Sequence, residues 1–445
     1  MDKFLKQAQK DGADYAEITK TSSNNTHIEI NSQEVKEISQ GETLLYGVRV
    51  LSNGSFGVAY SYKDDYNVLF KLAMKNAKAV PGKEQIKSYP QYSKHIKTEF
   101  KKNVLDVSLD EKKNLLMEHA KPEEKIVNLR LIYGDSQIKR EFLNSEGTHL
   151  TWNDSNCGYF AWAYAKDHKA FENFIKIKRL KGGYEIMKTF PEHVKFAMKK
   201  AVELLDAKPA KGGLFDTVID QPLGGVFAHE AVGHACEADL VDNHLSILVD
   251  KIGKKIGNEN VNIVDDGTLK EWGWMPFDSD GVKGMKTQLI QNGVLKNYLH
   301  SRDTAALFNQ DLTGNGRQLN AAYKIIPRMT NTFIEAGDSN FDEMISEIKE
   351  GYYLKDSAGG QVDCAGGEFL FNAMEGFYVK NGEIQYPVKS VSLVGNILEI
   401  LHKIKLVGKD LKFRAGTCGK SGQWVPVSSA SPHMLIEKAK IGGVQ

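Results

Sequence analysis

Cysteine is scarce in this chain of 445 residues, and its four cysteines lie far apart, at Cys157, Cys236, Cys364 and Cys418. No two of them have C-x-x-C spacing, so the sequence encodes neither a thioredoxin-like redox motif nor a zinc knuckle. Cysteines of a cytosolic protein are usually free thiols, and most of them pack as small hydrophobic residues. Each thiol must therefore be interpreted from the residues around it.

Net charge and long apolar segments are also lacking. The 58 lysines and arginines nearly balance the 57 acidic residues, so no overall field favours nucleic acid or an anionic membrane. No apolar run reaches the length of about 18 residues that a membrane-spanning helix needs, and the first residues do not form a secretory signal. We therefore expect a soluble, cytoplasmic protein that contacts neither nucleic acid nor a membrane.

The pattern of apolar and turn residues divides the chain into two parts. In the first part it predicts helices over 2–10, 64–79 and 191–206, with a further helix beginning near Ser108. Strand-like runs at 125–133, 137–143 and 148–152 are typical of consecutive antiparallel strands. Three Asn-Gly pairs, at Asn53, Asn292 and Asn381, predict hairpins of one type.

The best linker candidate is "DAKPAKGG" at 206–213, and the glycine-rich turns concentrate after it. These features predict an α+β protein of two domains. A mixed α/β N-terminal domain covers residues 1–206. A β-rich C-terminal domain covers residues 207–445 and carries a helix able to bind metal.

The segment "FAHEAVGHACEAD", residues 227–239, holds two histidines five positions apart, with a glutamate after the first. Zinc proteases space the two histidines of a helix four apart, as H-E-x-x-H. At about 100° per residue, five positions leave His229 and His234 about 140° apart around an α-helix. A π-helical turn would bring them together again, and Gly233 gives the backbone freedom to distort there. The alternative is an ordinary helix in which Glu230 pairs with His234 on the surface.

A catalytic zinc site needs a third protein ligand and one open position. The residues alone leave several candidates open, which are Cys236, Glu237, Asp239, His244, Cys364 and Cys418. Glu237 and Asp239 are also candidates for orienting the histidines through hydrogen bonds to their N–H groups.

Several ordered motifs narrow this choice because together they resemble the TldD/PmbA family of metalloproteases. They are "FLNSEGT" (142–148), "HEAVGHACEAD" (229–239), "DDGT" (265–268), "TGNGR" (313–317), "PRMTNT" (327–332), "CAGGEFLFN" (364–372) and "GTCGKSGQWVPV" (416–427). The resemblance implies that His229, His234 and Cys418 bind Zn²⁺ and that Glu230 is the catalytic carboxylate. It also implies a dimer, formed with a second copy or with a non-catalytic paralogue.

The resulting hypothesis is a zinc-dependent peptidase of unfolded or extended peptides, in which Glu230 activates a zinc-bound water. Two alternatives stay open. One is a zinc-dependent amidase that acts on small or modified peptides. The other is a non-catalytic metal-binding regulatory module, since relatives are also described as modulators of DNA gyrase. Arg317 and Arg328 are weaker candidates for binding a substrate carboxylate or phosphate, or for structural pairing.

Overall fold

The computed structural model describes residues 1–443, whose strands form three large β-sheets and one short β-ribbon. The first part of the chain contributes one sheet and four helices. Its helices are α1 (Asp2–Lys10), α2 (Tyr66–Ala79), α3 (Leu109–His119) and α4 (Phe190–Leu205). Its strands are β1 (Tyr15–Asn31), β2 (Glu34–Ser52), β3 (Ser55–Ser61), β4 (Ser93–Lys97), β5 (Ile126–Asn144), β6 (His149–Lys166) and β7 (Phe171–Lys181).

The strands of this first sheet follow the order β3-β2-β1-β5-β6, and both β4 and β7 pair with β6. The predicted strands at 125–133 and 137–143 are not separate, because both belong to β5. The polar residues between them continue the strand because β1 and β6 pair with them from both sides. Asp135 within this stretch is buried and lies 2.7 Å from Lys112 Nζ, so its charge has a partner.

The second part of the chain is richer in strands. Its helices are α5 (Gln221–Val226), α6 (Ala238–Asp242), α7 (Arg302–Leu307), α8 (Phe341–Ser346) and α9 (Ile397–Lys403). Its strands are β8 (Lys208–Pro209), β9 (Gly213–Ile219), β10 (Ile263–Asp266), β11 (Lys286–Gln291), β12 (Val294–Leu295), β13 (Gly316–Arg317), β14 (Ile326–Pro327), β15 (Asn331–Ile334), β16 (Glu350–Val362), β17 (Glu368–Lys380), β18 (Glu383–Lys389), β19 (Ser392–Asn396), β20 (Ile404–Val407), β21 (Lys412–Lys420), β22 (Gln423–Ser431) and β23 (Met434–Gly442).

Two sheets of this part enclose its core. One follows the order β16-β9-β23-β19-β17-β18-β8, and an additional β16–β17 pairing closes five of its strands into a ring. The other follows the order β12-β11-β10-β15-β22-β21, which leaves β21 at an edge. α5 packs against β16 of the first sheet and β22 of the second. Apolar residues of the segment after α5, including Phe227, Ala231 and Val232, are fully buried in this core.

The fold class is α+β, as predicted, and the predicted helices and hairpins are present. Each of the three Asn-Gly pairs joins two antiparallel strands. The predicted domain boundary falls between α4 and β8, and the division there stays a prediction. No helix within residues 1–443 combines the length and the apolar composition needed to cross a membrane.

Candidate metal centre

The two histidines lie on a helix whose winding changes between them. α5 continues into a π-helical segment, Phe227–Gly233, and then into a single 3₁₀ turn that begins at His234. The wider π turn brings His229 and His234 onto one side of the helix, with their ring centroids 5.2 Å apart. The predicted π-helical distortion is therefore confirmed. Gly233 has ordinary helical angles, φ −57° and ψ −54°, so its role is not to supply an unusual backbone conformation.

Cys418 reaches the histidines from β21, at the far end of the sequence. Its Sγ lies 3.2 Å from His234 Nε2. The candidate donor atoms of His229, His234 and Cys418 all lie within 4.8 Å of one another, and all three residues are buried. We call this group the His-His-Cys cluster. Within the described part of the chain, no fourth histidine, cysteine or acidic residue joins it.

The charges in the cluster favour a thiolate. Burial alone would raise the pKa of the Cys418 thiol, but His229 and His234 beside it lower the pKa to about 4. Burial would lower the pKa of both imidazoles. Cys418 nevertheless raises that of His229, and Glu237 raises that of His234 well above its ordinary value. One thiolate and two imidazoles, with donor atoms within 4.8 Å of one another, are a donor set that zinc prefers.

An unsatisfied polar atom supports the same interpretation. His229 is buried, and its Nδ1 has no hydrogen-bond partner among the described residues. Buried polar atoms are nearly always paired, so an unpaired ring nitrogen in a cluster with a thiolate calls for an explanation. The residues present therefore fit a bound metal ion.

Glu237 orients one of the histidines. Its Oε2 lies 2.8 Å from His234 Nδ1, which leaves Nε2 of that ring facing Cys418. The sequence offered both Glu237 and Asp239 for this role, and of the two it is Glu237 that contacts His234. Asp239 instead accepts a hydrogen bond from Lys420 Nζ at 2.6 Å.

Glu230 stands beside the cluster at the surface of a cleft. Its Oε2 is 3.8 Å from His234 Nε2, and its side chain is about one-third exposed (31%). The cleft has a volume of about 390 Å³ and reaches from His229 and Glu230 toward Arg414. One wall is β7, which pairs with β6 on one side and with no other strand within residues 1–443. A carboxylate here is open to solvent and close to the cluster at the same time.

Three basic residues complete the surroundings of the cluster. Arg328 donates a hydrogen bond to the Cys418 carbonyl at 2.8 Å, and its Nε lies 3.6 Å from Glu237 Oε1. Arg317 donates to the carbonyls of Met329 and Pro426. Lys420 had not been singled out from the sequence. Its position two residues after Cys418 on one strand was the available signal, because alternate residues of a strand share a face.

The other cysteines lie outside the cluster. Cys236, one of the candidate third ligands, is instead fully buried in the core between the two sheets, and burial raises the pKa of its thiol. Cys364 is partly exposed, and burial also raises its pKa. Cys157 packs in the core of the first sheet.

Comparison with known proteins identifies the family. The sequence profile of the PmbA/TldA metallopeptidase C-terminal domain matches residues 212–443, and that of PmbA/TldA metallopeptidase domain 1 matches residues 16–77. The chain belongs to the TldD/PmbA family. Its similarity to a protein of Methanothermobacter thermautotrophicus named metalloprotease is 38% identity over 98% of this chain and 96% of that protein. A zinc metalloprotease TldD homolog of Saccharolobus solfataricus is 29% identical over the full length of both chains.

Solved structures share the fold of this TldD/PmbA member. TldE from Thermococcus kodakarensis superposes with a TM-score of 0.80 at 20% identity over the full length of both chains. Protein TM0727 of Thermotoga maritima superposes with a TM-score of 0.83 at 23% identity over 99% of each chain. At this level of identity the similarity establishes the fold alone. The family and the names of the relatives support a metallopeptidase.

Proposed function

We propose that this protein is a zinc-dependent peptidase that hydrolyses unfolded or extended peptides. The observation that carries the proposal is the buried His-His-Cys cluster beside a partly exposed glutamate in an open cleft. We assign His229, His234 and Cys418 as zinc ligands and Glu230 as the catalytic carboxylate. Three protein donors leave a position for exchange, which favours a catalytic site over a closed structural one.

Each residue then has a distinct part in hydrolysis. Bound zinc would supply a Lewis acid that makes water more acidic and polarises a peptide carbonyl. Glu230 accepts the proton of the attacking water and passes it to the departing amine. Glu237 fixes the orientation of His234 through the Nδ1 hydrogen bond. The buried Cys418 holds its side of the cluster as a thiolate.

The edges of two strands decide where an extended peptide could pair with the protein. β21 is an edge strand, but its Gly416 carbonyl accepts from Trp272 and its Cys418 carbonyl from Arg328. One face of β6 and β7 forms the opposite wall of the cleft, and the outer edge of β7 pairs with no strand within residues 1–443. We therefore propose that the substrate adds as a strand to β7, which gives affinity through the main chain and broad side-chain specificity. A cleft of about 390 Å³ admits a single extended segment more readily than a folded domain.

We further propose that the protein acts in the cytoplasm as a dimer. The partner is either a second copy or a non-catalytic paralogue. Near-zero net charge is consistent with the absence of nucleic-acid and membrane partners.

Metal content per chain tests the ligand assignment. We expect about one zinc per chain in the wild type, and loss or strong weakening of binding in Cys418→Ala. Cys364→Ala is the matched control, because its partly exposed thiol belongs to the same half of the chain but not to the cluster. Elemental mass spectrometry gives the readout. Full zinc retention in Cys418→Ala would disprove the ligand set.

The catalytic assignment is tested separately with Glu230→Gln. This variant should keep its zinc but lose peptide cleavage by roughly 10²–10⁴-fold, the usual contribution of a general acid–base group. A casein-like unfolded chain and a stably folded protein serve as paired substrates. Cleavage of small amides without cleavage of the unfolded chain would select the amidase alternative. Zinc binding without any hydrolysis would select the regulatory module.

A further inference from the structure

A second cavity lies between the first sheet and the paired ends of β21 and β22. It has a volume of about 310 Å³ and is enclosed by β5, β6 and β7 of the first sheet and by residues of the second half. Four of the five tryptophans of the chain line it, namely Trp152, Trp272, Trp274 and Trp424. We call this cavity the tryptophan chamber.

Positive charge exceeds negative charge in the tryptophan chamber. Arg140, Lys181 and Arg317 line it, and Asp154 is the acidic residue in its lining. Asp154 pairs with Lys181 and also accepts a hydrogen bond from Thr98. Two guanidinium groups therefore remain without a carboxylate partner in the described structure.

Arg317 is the more deeply buried of these two arginines. It is 3% exposed, and its two terminal nitrogens donate to backbone carbonyls, while its Nε has no hydrogen-bond partner among the described residues. Burial, together with the charge of Arg328 nearby, lowers the pKa of Arg317 to about 9. Buried charges are costly unless they are paired, so this guanidinium is placed as if to receive an anion.

Arg140 is available at the same place. Its guanidinium lies over the ring of Trp152, 4.9 Å from the centroid, and makes no side-chain hydrogen bond or ion pair within residues 1–443. It is only partly buried, so a ligand can reach it. A guanidinium presents parallel N–H donors that match a carboxylate in a bidentate arrangement.

The tryptophan chamber and the cleft of the metal cluster share one lining residue. Thr417, which directly precedes Cys418, lines both cavities. Arg179 donates to Thr417 Oγ1 at 2.5 Å and lies over the ring of Trp272, which lines the chamber. Cys418 is the next residue along β21 after Thr417, so the chamber borders the segment that carries the thiol of the cluster.

We propose that the tryptophan chamber binds a carboxylate of the peptide substrate. Arg140 and Arg317 would pair with it, and the tryptophan rings would contact the neighbouring side chains. The carboxylate is either the C-terminus of the substrate or an aspartate or glutamate side chain. This inference rests on the proposed peptidase function and adds to it a preference for acidic peptides.

Peptide binding to a full-length, zinc-loaded Glu230→Gln protein tests the inference without cleavage. The probes are hexapeptides of alanine and leucine that carry a neutral fluorophore at the N-terminus. One has a free C-terminal carboxylate and one is its C-terminal amide. Three further amides carry a single aspartate at each of the last three positions. Fluorescence anisotropy gives the dissociation constant of each peptide.

We expect the free acid, or at least one aspartyl amide, to bind about tenfold more tightly than the neutral amide, as a charge-assisted pair implies. The peptide that gains affinity identifies the source of the carboxylate. Arg140→Gln should abolish most of this preference, and Arg140→Lys should restore part of it. Arg130→Gln is the matched control, because Arg130 also lies on β5 over a tryptophan but is already bidentate to Glu29.

Three results would overturn the inference. One is equal binding of all peptides. Another is a preference for acidic over neutral peptides that is unchanged in both Arg140→Gln and Arg317→Lys. The third is displacement of the acidic peptide by millimolar inorganic phosphate. Binding and cleavage also separate the two proposals. Equal cleavage of neutral and acidic peptides would contradict carboxylate binding in the tryptophan chamber but not the peptidase function. A preference for binding acidic peptides without any peptide cleavage by the wild type would contradict the peptidase function but not carboxylate binding in the chamber.

Discussion

Glu237 is a fully buried carboxylate with three basic neighbours. His234 Nδ1 lies 2.8 Å from its Oε2 and Lys420 Nζ 2.9 Å from the same oxygen, while Arg328 Nε lies 3.6 Å from Oε1. Burial would raise the pKa of Glu237, but these neighbours, His234 foremost, lower it to about 2. A permanently ionised Glu237 keeps the His234 Nδ1 proton in place and leaves Nε2 as the nitrogen that can bind metal.

Replacement of Glu237 should therefore weaken metal binding although Glu237 is not a proposed ligand. We expect Glu237→Gln to lower zinc affinity by about tenfold or more, because the hydrogen bond to His234 loses its charge. Competition with a chromophoric zinc chelator measures the change. The matched control is Asp239→Asn, which removes a carboxylate that contacts Lys420 but no histidine. Equal effects of both changes would mean that the local charge, and not the His234 hydrogen bond, controls affinity.

The sequence identified some of these residues and could not identify others. His229, Glu230 and His234 are adjacent along the chain, so their spacing alone indicated a site. Cys418 stood out only through the family motif, since its contact with His234 spans 184 positions. Among the six candidate third ligands, the structure brings Cys418 to the histidines, and not the closer Cys236.

At the scale of the element, Gly233 is required by close packing. A Cβ at this position would lie 1.9 Å from Met329 Sδ, and Met329 is fully buried. The sequence suggested instead that this glycine gives the backbone freedom to distort, which its helical angles do not support. The absence of a side chain lets the π-helical segment lie directly on Met329 and so places His234.

Gly233→Ala should consequently destabilise the protein by about 1–3 kcal/mol, the usual range for overpacking of a buried site. Met329→Ala leaves a cavity and should cost about 2–5 kcal/mol. In the double variant the new methyl group occupies part of that cavity. The double variant should therefore lose less unfolding free energy than the two single variants lose together. Urea unfolding of the four proteins gives this comparison. Additive losses would show that the two residues do not share the space.

An open glycine provides the control for this cycle. A Cβ at Gly41 would meet no atom within 4 Å, and its φ is not positive. Gly41→Ala should therefore change the unfolding free energy by less than about 1 kcal/mol. A loss as large as that of Gly233→Ala would point to a general effect of replacing glycine in this protein.

Helices, strands and turns that a local sequence pattern determines were predictable from the sequence. Those that pairing with distant strands determines were not. Asn-Gly turns set the three hairpins because their residues adopt the positive φ that such turns need. β5 was divided in two because Gly134 and the polar residues after it lack the apolar pattern of a strand. Pairing with β1 and β6 holds that stretch extended, and this information lies elsewhere in the chain.

At the scale of the whole molecule, a buried ionic network joins the first sheet to the metal-binding half. Arg49 of β2 bonds to Glu17 of β1 at 2.9 and 3.0 Å and to Asp280 at 2.5 Å. Asp280 in turn accepts from the Arg302 N–H at 3.0 Å. All three charged side chains are nearly inaccessible to solvent. The cleft and the tryptophan chamber both lie between these halves, so their shapes depend on how the halves are held.

Loss of Arg49 should weaken this junction far more than loss of an exposed ion pair. Arg49→Met leaves Glu17 and Asp280 buried without their cation, which should cost about 3–5 kcal/mol of unfolding free energy. Arg130→Met is the control because Arg130, bonded to Glu29, is 36% exposed and should cost no more than about 1 kcal/mol. Urea unfolding at several pH values measures both.

The pH dependence of the stability loss in Arg49→Met distinguishes unpaired charge from lost packing. Burial already raises the pKa of Glu17 despite Arg49, and removal of the cation raises it further. A carboxyl whose pKa is higher in the folded than in the unfolded state favours folding at low pH and loses that contribution as the pH rises. The deficit of Arg49→Met should therefore be larger at pH 8 than at pH 5, while that of Arg130→Met stays small at both. A deficit independent of pH would mean that lost packing against Phe56, and not unpaired charge, destabilises the junction.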